Sequence, residues 1–252
     1  MFQFTDEEKE RYARHIILKG IGAEGQEKIC KGKVLVVGSG GLGSPVLMYL
    51  AAAGVGTLGV VDGDVVDLSN LQRQIIHSTD NIGKSKVESA RERILTVNPN
   101  VNVVTYDEFF TADNAADIIG DYDFVIDGTD NFDAKFLIND VCVEHGTAYS
   151  HGAILRFEGE TFTYVPGSAC YRCLFDTPPE PGSVPNSKQA GVLGAIAGML
   201  GTIQAAEALK FLTGAGELLT NQLLTFDALS MNFNKIRFGK RKGCVCGGED
   251  YL

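Results

Sequence analysis

Residues Val34–Gly43 read VLVVGSGGLG, and the rest of the chain is arranged around this stretch. Val34, Leu35, Val36 and Val37 form an unbroken apolar run of the kind buried on both faces of a parallel sheet. Gly38, Gly40 and Gly43 then fall in the spacing G-x-G-x-x-G. In a strand-to-helix turn the first glycine permits a tight bend. The second lets backbone approach a phosphate, and the third lets the next helix pack close. Ser44-Pro45 opens that helix, with proline in the first turn, where its missing N–H is no loss. Free amides and the dipole at such an end favour an anion. A second strand, Leu58–Val61, ends in Asp62, nineteen residues beyond Gly43, about where a ribose-binding acid belongs. The stretch predicts a nucleotide site.

Working outward, Pro45–Ala53 and Lys84–Leu95 read as helices, and Val101–Thr105 as a β-branched strand. Asp113–Ile119 and Asn131–His145 read as further helices, and Phe124–Ile126 and Ala148–Ser150 as strands. This alternation predicts a doubly wound, mostly parallel α/β sheet, Rossmann-like, with an antiparallel C-terminal extension. Residues 1–30 form an N-terminal helical segment and 31–152 the nucleotide-binding region. In 153–252, Glu158-Gly159 marks a hairpin between Ile154–Phe157 and Thr161–Val165. A loop over 166–190 holds five of the seven prolines, and Leu223–Phe226 and Asn232–Phe238 close the extension. One compact domain is expected.

The net charge is −10 and the pI about 4.9, which argues against nucleic acid or an anionic membrane as partner. The acidic start MFQFTDEEKE has no secretory layout, so a cytoplasmic protein is expected. Ala190–Leu212 is apolar but contains Gln204, Glu207 and Lys210, which reads as a buried helix rather than a membrane span.

The connection after Asp62 crowds Asp64, Asn70, Arg73 and Gln74 together, with Lys84 and Lys86 close behind. Cations beside a glycine loop suit phosphoryl charge, although a solvated charged loop has the same composition. Asp127 and Asp130 bracket Gly128-Thr129 at a strand end, where a carboxylate can hold Mg2+ against phosphates. Asp130 equally suits an N-cap for the helix at Asn131. Cys170, Cys173, Cys244 and Cys246 form two close pairs far apart in sequence, a ligand set for a tetrahedral structural zinc or else four free thiols. Cys30 and Cys142 read as core residues. His15, His77, His145 and His151 lack metal spacing and read as structural.

GSGGLGS, the DGDVVDLSNLQRQ loop, GKSK, DGTDNFDAK, CYRCL, QAGVLG, RYARHIIL and CVCGG stand in the right order along the chain and resemble the ThiF/MoeB/HesA family over nearly its whole length. That family is similar to the adenylating half of ubiquitin-activating enzymes. The resemblance implies ATP-dependent adenylation of the C-terminal glycine of a small ubiquitin-like sulfur-carrier protein ending in Gly-Gly, with release of pyrophosphate. It implies a thiamine or molybdopterin pathway. By position, Gly41 and its neighbours would contact ATP, Asp62 the ribose, Asn70, Arg73 and Lys86 the phosphates, and Asp130 the magnesium. Arg14 would be supplied across a homodimer interface. The family's second cysteine pair is usually C-x-x-C, whereas here it is C-x-C. Where the family's mobile loop commonly carries cysteine, this chain has Ser187, a far weaker nucleophile, so no covalent link to the carrier is expected. With no rhodanese-like segment after residue 252, sulfur is expected from a separate donor. An NAD-dependent oxidoreductase and a catalytically silent nucleotide-binding scaffold are the alternatives.

Overall fold

The structure is a computed structural model that describes residues 3–180, 182–185 and 187–247. One eight-stranded sheet runs through it in the order β3-β2-β1-β4-β5-β6-β7-β8. The strands are β1 (Lys33–Val37), β2 (Thr57–Val61), β3 (Asn102–Tyr106), β4 (Phe124–Asp127), β5 (Ala148–Leu155), β6 (Glu158–Tyr164), β7 (Gln222–Asp227) and β8 (Asn232–Arg237). The first five pair in parallel, and β5 to β8 pair antiparallel. The predicted sheet and its antiparallel extension are thus both present.

The helices are α1 (Asp6–Arg11), α2 (Ala13–Ile16), α3 (Gly22–Lys31), α4 (Gly43–Ala53), α5 (Lys86–Val97), α6 (Ala115–Ile119), α7 (Phe132–His145), α8 (Tyr171–Leu174), α9 (Ser187–Ala190) and α10 (Gly194–Thr213). The N-terminal segment is built of three short helices, broken at Tyr12 and after Ile16. On one sheet face α4, α5 and α10 bury Val34, Val36, Leu47, Leu50, Leu58 and Phe124. On the other, α6 and α7 bury Leu35, Val125, Tyr149 and Phe162.

The hairpin lies two residues earlier than Glu158-Gly159 indicates. Ala148–Leu155 is one continuous strand whose register with β6 runs from Tyr149↔Tyr164 to Leu155↔Glu158, so the turn is Arg156-Phe157. Arg156 takes the positive φ of 55° that a glycine would ordinarily supply. Gly159 lies inside β6 for a packing reason: a Cβ there would sit 2.5 Å from the Phe226 ring.

Among the described residues, α10 is the one helix long and apolar enough to cross a membrane. Here it packs on α4 and β5. Its polar groups serve the interior: Gln204 Nε2 donates to the Asp127 and Ser150 carbonyls at 2.9 and 3.2 Å. Glu207 accepts from Thr163 Oγ1 at 2.6 Å and from the Leu219 N–H at 2.8 Å, and pairs with Lys210.

Candidate active site

Because β1 lies between β2 and β4, the connections leaving β1 and β4 diverge, and a crevice opens at their C-terminal ends. Gly38 (φ 91°) and Gly128 meet there so closely that a Cβ on Gly38 would lie 2.9 Å from the Gly128 carbonyl oxygen. A cavity of about 1110 Å³ fills the crevice and extends over the antiparallel strands. Gly38, Gly40, Gly41, Asp62, Asp64, Arg73, Gln74, Lys86, Asp130 and Asn131 line it. Gly43 does not. It lies beneath the loop, where a Cβ would come within 1.9 Å of the Gly38 carbonyl oxygen, so its role is to let α4 approach. Asn70 also stays outside; its carbonyl accepts the Arg73 and Gln74 N–H groups at 3.0 Å each, which shapes the turn presenting those side chains.

Asp62 ends β2 facing the glycine loop. Its Oδ2 accepts from the Ser39 N–H at 2.9 Å and the Ser39 hydroxyl at 3.0 Å, and its Oδ1 from the Asp64 N–H at 3.0 Å. Lys86, only 5% exposed, opens α5 and places Nζ 2.8 Å from Asp64 Oδ2 and 3.8 Å from Asp62 Oδ1. Asp64 is mostly in solvent, so one face of this cluster is open. Among the described residues, the Arg73 side chain donates one long bond, 3.3 Å to the Ser69 carbonyl. Among the described residues, buried Gln74 Oε1 has no hydrogen-bond partner. Two cations lining one cavity suit a polyanion.

The acid pair bracketing Gly128-Thr129 divides. Asp127 is sealed: it accepts from Lys135 Nζ at 3.0 and 3.2 Å, from the Thr129 N–H and hydroxyl, and from His151 Nδ1 at 3.0 Å. Burial would raise its carboxyl, but Lys135, His151 and Thr129 outweigh that and hold it well below the usual carboxylate range. Lys135 spends its remaining donors on the Thr129 and Gly152 carbonyls. Asp130 is exposed on the cavity wall, and Asn131, not Asp130, is the N-cap, accepting the Ala134 N–H at 2.9 Å. Of the two acids, Asp130 is therefore the one open to a cation. Lys135 and His151 escaped the sequence reading as site neighbours, because Lys135 reaches Asp127 from one turn inside α7 and His151 from the next strand.

The four cysteines converge. Cys170 Sγ lies 3.5 Å from Cys244 Sγ and 4.0 Å from Cys173 Sγ, and Cys173 Sγ lies 3.5 Å from Cys246 Sγ. All four sulfurs fall within 4.8 Å of one another. Tetrahedral zinc with bonds of ~2.3 Å sets its sulfurs about 3.8 Å apart, so the set fits that ion. The C-x-C pair reaches this geometry because Cys244 and Cys246 lie in consecutive turns around Gly243 (φ 71°) and Gly247 (φ 75°). Burial disfavours a thiolate at Cys173, but backbone N–H groups, Arg241's among them at 3.3 Å, and neighbouring thiols outweigh it and lower the thiol below its ordinary value. Cys142 is buried in the core and Cys30 half-buried.

The ThiF family pattern matches residues 12–247. The chain belongs to the ThiF family. It is 46% identical over 239 residues to the SAMP-activating enzyme E1 of Haloferax volcanii, covering 94% of this chain and 88% of that protein. It is 44% identical over 254 residues to the sulfur carrier protein adenylyltransferase of Thermus thermophilus, covering 98% and 94%. It is 45% identical to the probable adenylyltransferase/sulfurtransferase MoeZ of Mycobacterium tuberculosis over 93% of this chain, but spans 61% of MoeZ. Among solved structures, Escherichia coli MccB superposes with a TM-score of 0.85 at 23% identity, over 99% of this chain and 75% of that one, which establishes the fold.

Two family positions remain. Arg14 is exposed on α2 and does not line the cavity. The neighbouring Tyr12 packs against Gly54, the C-cap of α4, and accepts from Asn98 Nδ2 at 2.8 Å. The eleven residues of α4 rise about 16 Å, so this helical pair sits at the end of α4 remote from the glycine loop. Ser187 belongs to α9, and its side chain lies outside the described residues.

Proposed function

We propose that this ThiF-family protein uses ATP and Mg2+ to adenylate the C-terminal glycine of a small ubiquitin-like sulfur carrier ending in Gly-Gly, for a pathway such as thiamine or molybdopterin biosynthesis. The observation that carries this reading is the single cavity. It joins the glycine loop, Lys86, Arg73 and Asp130 to a floor over Glu160, Thr225 and Asn234, with room for a nucleotide and an extended peptide tail. Relatives named as adenylyltransferases, one of them for a sulfur carrier protein, support it.

In this reading the carrier carboxylate attacks the α-phosphate, an acyl–phosphate bond forms, and the bond to pyrophosphate breaks. Both reactants are anions, so the protein's task is to position them and offset charge. Lys86 and Arg73 face the phosphates, the Gly40 and Gly41 backbone approaches them, Asp62 takes the ribose, and Gln74 stands beside the glycine loop. Asp130 holds Mg2+, which supplies neutralisation of phosphate charge when bound. Cys170, Cys173, Cys244 and Cys246 hold zinc and pin the C-terminal turn to the loop at Cys170.

Because Arg14 lies far from the cavity of its own chain, it serves a site only from the partner of a homodimer. Mixing Arg14→Ala chains with Asp130→Ala chains tests this: action in trans restores part of the activity, and action in cis restores none. The reaction itself is tested by mass spectrometry of a Gly-Gly carrier after incubation with protein, ATP and Mg2+. The expected product is carrier plus one adenylate, with no enzyme–carrier adduct. An unmodified carrier, with the protein stabilised against heat by NAD and not by ATP–Mg2+, would favour the oxidoreductase alternative instead.

A further inference from the structure

His77 has no place in the reaction above, yet it touches the loop at the centre of it. It follows the turn that presents Arg73 and Gln74, and its N–H donates to the Gln74 carbonyl at 3.1 Å. Its buried ring bridges two elements: Nε2 lies 3.1 Å from the Ser39 carbonyl oxygen in the glycine loop, and Nδ1 lies 2.8 Å from Ser89 Oγ in α5. A carbonyl only accepts, so Nε2 carries the proton and Nδ1 accepts from the Ser89 hydroxyl. Burial, with Lys86 adding to it, holds the ring below the ordinary histidine value despite the pull of the Ser39 carbonyl and Asp62, which favours this neutral form.

The consequence follows from the planarity of the peptide. The Gly38 N–H donates to the Val61 carbonyl at 2.8 Å and the Ser39 N–H to Asp62 at 2.9 Å, so both point into the protein. The Ser39–Gly40 peptide is trans, and in a trans peptide the C=O and N–H point in opposite directions. Holding the Ser39 carbonyl inward on His77 therefore turns the Gly40 N–H outward. Gly40 lines the cavity, and among the described residues its N–H meets no acceptor.

We propose that His77 is a positioning residue for phosphate: by fixing the Ser39 carbonyl it presents the Gly40 N–H to the nucleotide. This rests on the nucleotide-binding reading. The same imidazole ties the Arg73–Gln74 turn to the loop, so amide and cation are set by one side chain.

The test is a comparison of ATP–Mg2+ with adenosine by isothermal titration in the wild type, His77→Leu and His77→Gln. A hydrogen bond from an amide to a charged phosphate is worth about tenfold in affinity or more. His77→Leu is expected to weaken ATP–Mg2+ by roughly that factor while adenosine, which lacks phosphates, changes by less than about twofold. His77→Gln, whose amide can donate to the Ser39 carbonyl, is expected to recover most of the loss. If His77→Leu does not fold, His77→Asn, whose shorter amide falls short of Ser39, replaces it with the same expectation. Equal losses for both ligands, no loss for either, or failure of glutamine to rescue would overturn the inference. Absence of ATP binding by the wild type would instead overturn the nucleotide reading on which it rests.

Discussion

Two aspartate–lysine clusters stand at the C-terminal ends of strands in the same sheet, and they are used in opposite ways. At the end of β4, Lys135 (6% exposed) spends its donors on Asp127, Thr129 and Gly152, while His151 and Thr129 fill the rest of the Asp127 carboxylate. At the end of β2, Lys86 is as deeply placed but pairs at 2.8 Å with Asp64, which is 57% exposed, and the pair opens onto the cavity. In the first, the Asp127 carboxylate and the Lys135 ammonium meet their partners within the protein, while His151 Nε2 has none among the described residues. The second leaves Asp64 in solvent and Lys86 on the cavity wall, with Arg73 beside it. The residue types are the same, so completeness of hydrogen bonding, and not composition, separates a structural cluster from a candidate for binding.

The largest effect is expected from breaking the closed cluster. Lys135→Met leaves Asp127 buried with its main counter-charge gone, and should cost roughly 3–5 kcal/mol of stability, read from urea unfolding. The same variant sharpens the comparison through pH. Asp127 has a folded-state pKa below its unfolded value, so its contribution to stability is present above about pH 4 and is lost as pH falls further. That acid loss should be smaller in Lys135→Met, where the carboxyl is no longer held down. A variant as stable as the wild type would remove the distinction between the clusters.

The open cluster should respond in the reverse sense. Lys86→Met is expected to lower carrier-dependent exchange of pyrophosphate into ATP by roughly 10²–10³-fold, the scale of losing one preorganised charge from a transition state. Unfolding should shift less than in Lys135→Met, because Asp64 is solvated and Asp62 keeps its bonds from Ser39 and the Asp64 N–H. Arg73→Ala and Asp130→Ala should follow the same pattern, and a variant that unfolds without losing exchange would contradict it.

Smaller effects are expected away from both clusters. Cys170→Ser removes one sulfur of the four and should lower both the zinc content by elemental analysis and the melting temperature, by a few degrees for about 1–2 kcal/mol in a chain of this size. Asn131→Ala removes the cap of α7 and should cost about 1 kcal/mol. Since Asn131 also lines the cavity, its exchange rate decides whether it serves the nucleotide as well as the helix: unchanged exchange makes it a cap alone.

Much of this arrangement is legible in the chain. Val34–Val37 and the glycines after it combine a buried strand with a turn that tolerates few side chains, and both signals are local. Asp62, Arg73, Gln74 and Lys86 could be grouped because one polar connection carries them to one strand end. The closed cluster was not legible as such. Its completeness depends on the Gly152 carbonyl and on His151, both from a later strand, and sequence spacing does not report which donors a lysine finds. The hairpin departs from its sequence signal for a similar reason: Gly159 is needed to admit the Phe226 ring, while Arg156 makes the turn without a glycine. Arg14 is recognisable in sequence, but its distance from the cavity follows only from the packing of Tyr12 at the far end of α4.

Exchange of labelled pyrophosphate into ATP by the unmodified protein tests the central claim most directly, measured with a Gly-Gly carrier and with the same carrier lacking its last glycine. Mg2+-dependent exchange is expected with the intact carrier alone, lost in Lys86→Met and in Asp130→Ala while both variants remain folded. Exchange that ignores the carrier terminus, or that persists in both variants, would contradict it.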